Sequence, residues 1–250
     1  MRSQKGFSLI ELLVATAVLL LMMAGVFSQI AKLQKVSQQE DVKRDMFQNG
    51  REVMDQFNRD LHSAGFPNKN MYNRSASNGV FLANPDSSTQ SAVGLILASP
   101  TQVMFEGDVD NDGIVDSVAY GYVTAAPAGT PAGITCSNAV GLGCFVRAQS
   151  RKLAGSPLPT ANGGVQTTLV NYNVALENVT APTANSPVFS YFDASGNAID
   201  ASAGLVYPSG TLASIRTVKV ALNLQGASPD LQTRQRPTAT LTLTSRLNNY

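Results

Sequence analysis

The chain opens on a long run of apolar positions broken by one acid. From Phe7 to Ile30 the segment FSLIELLVATAVLLLMMAGVFSQI holds Glu11 as its sole ionisable side chain. At about 1.5 Å per residue, a helix of that length spans the roughly 30 Å hydrocarbon layer of a bilayer. The helical pattern does not stop there. Met46, Gly50, Val53, Phe57, Leu61 and Ala64 recur three and four positions apart, and no proline occurs before Pro67. The spacing predicts one helix from about Phe7 to about Ala64, on the order of 85 Å long, which outruns both a bilayer and a domain. Gly65 stands where a helix C-cap is expected, and Pro67 prevents continuation.

Past that point the period changes from helical to alternating. Short runs at Val80–Leu82, Val93–Leu97, Gln102–Glu106, Ser117–Val123, Phe145–Ala148, Gln166–Leu176, Val188–Phe192, Ile215–Leu224 and Ala239–Arg246 read as strands. The last two are the cleanest. Ile215, Val218, Val220, Leu222 and Leu224 form one apolar face, as do Ala239, Leu241 and Leu243 after a loop containing Pro229 and Pro237, so antiparallel pairing is the economical inference. A sheet with one apolar face needs a cover, which the amphipathic half of the helix supplies. The expected fold class is α+β, a long helical spine packed on an antiparallel β-sheet head. Stretches 124–133, 153–164 and 180–187 are rich in Pro, Gly and Ala and read as loops.

Charge divides the chain into the same parts. Only 14% of the residues are charged, against about 25% in an ordinary soluble domain. Arg2 and Lys5 precede the apolar run, twelve charged side chains crowd residues 28–60, and only eighteen are spread over residues 75–250. The organisation expected is 7–30 as a membrane-embedded half-helix, 31–65 as an amphipathic half-helix and 66–250 as a weakly charged head, with residues 1–6 as a short basic flank ahead of them. The positive flank keeps the N-terminus cytoplasmic and sends the head outward. A net charge of +1 leaves no basic excess for a phosphate backbone, so no nucleic acid is expected as a partner. The trio Arg147, Arg151 and Lys152 reads as a solvated edge. The single histidine, His62, excludes two-His metal sites and reads as a helix-end cation. No catalytic constellation is visible, and the expectation is a protein that is not an enzyme.

A carboxylate inside an apolar run costs about 2.5 kcal/mol or more unless it is paired, so Glu11 is functional by default. The fragment Lys5-Gly6-Phe7-Ser8-Leu9-Ile10-Glu11-Leu12-Leu13 resembles the processing site of type IV prepilins and of type II secretion pseudopilins. The resemblance implies removal of the leader after Gly6 by a prepilin peptidase and N-methylation of the exposed Phe7 amine. It also implies a bacterial inner-membrane location before assembly, and later a place in a pilus at the cell surface or in the periplasm. Glu11 would be the fifth mature residue, able to neutralise the new amine when helices pack. Such a pair favours correct register, because a subunit docked at the wrong height leaves both charges unpaired. Arg59-Asp60-Leu61-His62-Ser63-Ala64-Gly65-Phe66 and the closing Arg246-Leu247-Asn248-Asn249 look like the PilW branch of minor pilins and its relative, pseudopilin J. That likeness implies other minor and major pilins as partners and a part in priming or capping a fibre. A secretion pseudopilin and a membrane-tethered binding module are the alternatives.

Two features of the head could carry chemistry. Asp108, Asp110 and Asp112 followed by Gly113 occupy positions 1, 3, 5 and 6 of an EF-hand-like loop, with the Ile114 carbonyl and Asp116 at positions 7 and 9. Ala119 stands where an EF-hand has its bidentate Glu, so the pattern is closer to a short Asp-rich loop holding a structural Ca2+. Hard oxygen ligands favour calcium over zinc. The cysteines are Cys136 and Cys144, and an outward-facing chain in an oxidising compartment is expected to join them as a disulfide.

Overall fold

The computed structural model describes residues 8–68, 71, 90–124, 136, 141–152, 172–226, 229 and 234–248. One helix, α1 (Leu9–His62), runs without interruption. Residues 8–38 are all exposed, and burial sets in as a stripe only from Gly50, through Val53, Met54, Phe57, Asp60 and Leu61. The apolar first part therefore stands clear of the head, and the periodic second part lies on it. Gly65, at φ 77°, turns the chain out of the helix, and its N–H donates to the Glu106 carbonyl at 2.8 Å.

Among the described residues the head is a sheet of ten strands: β1 (Leu95–Ala98), β2 (Gln102–Gly107), β3 (Asp116–Val123), β4 (Leu142–Arg151), β5 (Tyr172–Thr180), β6 (Phe189–Phe192), β7 (Ala198–Ile199), β8 (Leu205–Val206), β9 (Thr217–Gln225) and β10 (Thr238–Arg246). Every pairing is antiparallel, in the order β7-β6-β9-β5-β4-β3-β2-β1-β8. β10 pairs with β9 along its whole length, from Thr238 opposite Gln225 to Arg246 opposite Thr217. That register places Ala239, Leu241 and Leu243 beside Leu224, Leu222 and Val220, the pairing that the two alternating runs predict. The strand expected from Ile215 starts at Thr217, because a short helix, α2 (Gly210–Ser214), ends on Ile215; that residue is nonetheless fully buried.

The main core lies between α1 and the sheet. Phe57 meets Tyr120 edge-on at 5.0 Å between ring centres, and Phe145 and Phe189 complete an aromatic cluster at 5.7–5.9 Å. Ile96, Leu97, Met104, Ala119 and Ala148 pack separately, with Val93 and Tyr207 against them. The strand expected at Val80–Leu82, the first residues of the run from Gln166, and most of loops 124–133 and 153–164 lie outside the described residues.

Candidate functional site

Glu11 sits in the first turn of α1 beside the N-cap Ser8, whose backbone N–H reaches its Oε2 at 3.5 Å. That contact is at the outer limit of a hydrogen bond, so the carboxylate retains most of its capacity to accept from a stronger donor. The surrounding apolar helix is long enough to cross a membrane, and none of its most apolar stretch is buried. Leu9, Ile10, Leu12, Leu13, Leu19, Leu20 and Leu21 are all exposed large side chains. Gly6 and Phe7 lie outside the described residues.

At the other end of α1 the helix is clasped to the sheet. Ala64 bridges to Gly107, Gly65 N–H donates to the Glu106 carbonyl, and Asp108 N–H donates to the Phe66 carbonyl at 2.9 Å. The clasp fixes the first residue of the acidic loop that joins β2 to β3. Within the loop, Asp108, Asp110 and Asp112 can each offer an oxygen such that all three lie within 4.8 Å of one another. Asp108 Oδ1 and Oδ2 accept from the backbone N–H groups of Asp112 and Gly113 at 3.1 and 3.0 Å, and Asp112 Oδ1 accepts from Ile114 N–H at 2.8 Å. Three hard oxygen donors converging on a turn with Gly113 at φ 84° suit a divalent cation such as calcium. Asp116 stands apart from that group: its Oδ2 accepts from Gln149 Nε2 at 2.9 Å. Burial, only partly countered by the Gln149 hydrogen bond and reinforced by Asp110, Asp112 and Asp108, pushes the Asp116 carboxyl up to about 6.

Arg147 and Lys152 are not the solvated edge that their spacing suggests. Arg147 Nε donates to Asp60 Oδ2 on α1 at 2.7 Å, and Tyr120 OH donates to the same oxygen at 2.7 Å. Arg147 Nη2 goes on to Gln149 Oε1 at 2.7 Å. Desolvation pulls the Arg147 guanidinium down, but Asp60 and Tyr120 outweigh it and keep it firmly charged. Burial and the Asp60 carboxylate hold the Tyr120 hydroxyl well above its ordinary value, so it stays a proton donor. A continuous polar chain, Asp60–Arg147–Gln149–Asp116, thus connects the helix to the base of the acidic loop. Lys152 is buried outright: its Nζ lies 2.8 Å from Glu106 Oε2 and 2.8 Å from the Ser91 carbonyl. Only Arg151 is solvent-facing, and it reaches Asp112 Oδ2 at 3.3 Å. Antiparallel pairing of β3 and β4 causes this arrangement, since it stacks Tyr120 opposite Arg147 and Asp116 opposite Arg151.

Cys136 and Cys144 form a disulfide, with Cα atoms 5.6 Å apart and Val146, Val123 and Val174 packed around it. His62 is exposed as the last residue of α1.

Residues 1–27 match the family model for the prokaryotic N-terminal methylation motif. No curated protein and no solved structure matches the chain. The matched motif supports a relation to type IV prepilins and pseudopilins, and the long apolar helix with its antiparallel sheet is a type IV pilin-like α+β fold. The motif and the exposed apolar helix are consistent with an inner-membrane anchor, and the same motif suggests a prepilin peptidase and other pilins as partners.

Proposed function

We propose that this protein is a minor pilin of a type IV pilus, of the PilW kind, whose helix anchors it in the inner membrane until it packs beside other pilins to prime or cap a fibre. The observation that carries this reading is α1 itself: residues 8–38 are exposed in an isolated chain, and only the later stripe is buried in the head. Apolar side chains such as Leu13, Leu20 and Phe27 leave the bilayer at a large cost unless other helices cover them, which a filament core does. Cleavage after Gly6 creates an amine at Phe7, and Glu11, one turn further on, neutralises it within or between subunits. The role is structural, with no reaction assigned to the head, and the loop at Asp108, Asp110 and Asp112 holds a calcium ion that stiffens the β2–β3 connection.

Gly6→Ala or Glu11→Ala is expected to abolish recovery of the protein in sheared fibres while the head still folds, as read by its disulfide and protease resistance. Normal incorporation of Glu11→Ala into fibres overturns the reading. A host in which the variants block protein export rather than fibre formation identifies a secretion pseudopilin instead.

A further inference from the structure

Among the described residues the sheet has three open edges, and two of them are blunted, because β7 and β8 are each two residues long. The third is β10, nine residues long, which pairs with β9 on one side in a continuous register and with no described strand on the other. It carries none of the devices that close an edge. Its sequence, TATLTLTSR, has no proline, no lysine and no bulge, and its one charge is Arg246 at the last position. Thr238, Thr240, Thr242 and Thr244 face solvent. On the opposite face Leu241 and Leu243 stay half-buried, although their cross-strand neighbours Leu222 and Val220 are fully buried.

The helix overhangs this edge. Gly50 of α1 sits against Leu241 of β10 and Leu224 of β9. At about 100° per residue, Met54, Phe47, Arg51 and Arg44 turn increasingly to one side of Gly50, while Asn49, Gln56 and Asp45 turn to the other. The second group faces β5. At Leu224, β5 and β10 lie on opposite sides of β9, so the first group projects over the outer edge of β10. Phe47 is 40% exposed there, and neither Arg44 nor Arg51 has an ion-pair partner among the described residues. A bare backbone edge, an apolar shelf and two guanidinium groups together define their complement: an extended segment with apolar side chains at alternate positions and an acid on the same face. We propose that the free edge of β10 takes up such an acidic segment of another protein as an added strand, its apolar side chains against Leu241, Leu243 and Phe47 and its acid against Arg44 and Arg51. A second copy of this chain does not fit, because β10 holds no acid and edge-to-edge pairing would bring two sets of arginines together. The site belongs to the head and goes beyond the reading of α1 as an anchor.

The test is photo-cross-linking of the full chain in its own host. A photoreactive benzoylphenylalanine replaces Thr240, Thr242 or Thr244, one at a time, all three being exposed positions on the face away from the helix. Illumination of whole cells is expected to give an adduct with one other polypeptide, and its attachment point should move by about two residues, in one constant direction, for each step along β10. Arg44→Glu together with Arg51→Glu should lower the adduct yield about fivefold at unchanged protein level and disulfide content. Attachment points that do not move with the probe overturn the added strand, as do the absence of an adduct, attachment within the chain or to a second copy, or attachment scattered over many proteins. An unchanged yield in the double variant overturns the acidic character of the partner. Adducts are read in whole cells whether or not the protein reaches sheared fibres, so failure of the filament reading and failure of this site are separate results.

Discussion

Asp60 and Arg147 are the pair whose loss the head should feel most. They are bonded at 2.7 Å with little exposure, and Asp60 also accepts from Tyr120. Removing one partner of a buried pair strands the other, typically at about 3–5 kcal/mol, whereas removing both is far milder. Arg147→Met should therefore lower the urea midpoint of the detergent-solubilised protein strongly, and the double variant Asp60→Leu, Arg147→Met should recover most of the loss. Equal loss in the single and double variants would contradict this account. The sequence did contain a signal for Asp60. It lies three residues after Phe57 and four before Ala64, on the apolar stripe, where an acid needs a buried partner. Lys152 carried no such signal, because its burial depends on which strand Glu106 joins, and that is a property of the sheet rather than of spacing.

Asp116 adds a pH dependence. Its carboxyl is pushed up to about 6 from 3.8 in the folded head, so folding favours the protonated form. Its contribution is then fully present below about pH 4, falls as pH rises, and is gone above about pH 6. In a chelator, the melting temperature of the wild type minus that of Asp116→Asn should decline from pH 4 to pH 7. Calcium should raise the wild-type midpoint at pH 7, where the neighbouring carboxylates are ionised, and should do so less in Asp110→Asn. A difference that is flat with pH, or a midpoint indifferent to calcium, would remove the electrostatic account of the loop.

Among the elements, those with a sustained period are legible in the amino-acid sequence alone. α1 follows from spacings of three and four between Met46 and Leu61, and β9 and β10 follow from alternation over most of each run, with apolar faces that meet in the observed register. The elements missed are β7 and β8, each two residues long, and the five-residue α2. Segments that short carry no period, and only their neighbours hold them in place. The acidic loop was legible as a turn with converging carboxylates, but its anchorage to the helix end was not. That clasp depends on Gly107, where an added Cβ would run into the backbone carbonyl of Ser63. Backbone cannot swing aside, so Gly107→Ala should cost about 1–3 kcal/mol and loosen the helix end from β2. Gly50 makes the opposite case. A Cβ there meets a methyl of Leu241, a side chain that can turn, and alanine returns about 1 kcal/mol of helix propensity. Gly50→Ala should thus be close to neutral in the same denaturation experiment, and a larger loss there than at Gly107 would argue against the packing described.

At the scale of the whole molecule, the separation of burial along one continuous helix is the organising fact. Its buried stripe packs on the head, and its exposed apolar half has no cover among the described residues, a surface that the proposed function places first in the bilayer and then among other helices. The proposed role of Glu11 belongs to that second setting, where a cleaved N-terminus would supply its cation. The central claim is therefore about how the chain begins once it is made. Mass spectrometry of the protein isolated from its own host reads this directly. The account predicts a mature chain starting at Phe7 and carrying one N-methyl group, and an intact Met1 leader or a cut near residue 30 would contradict it.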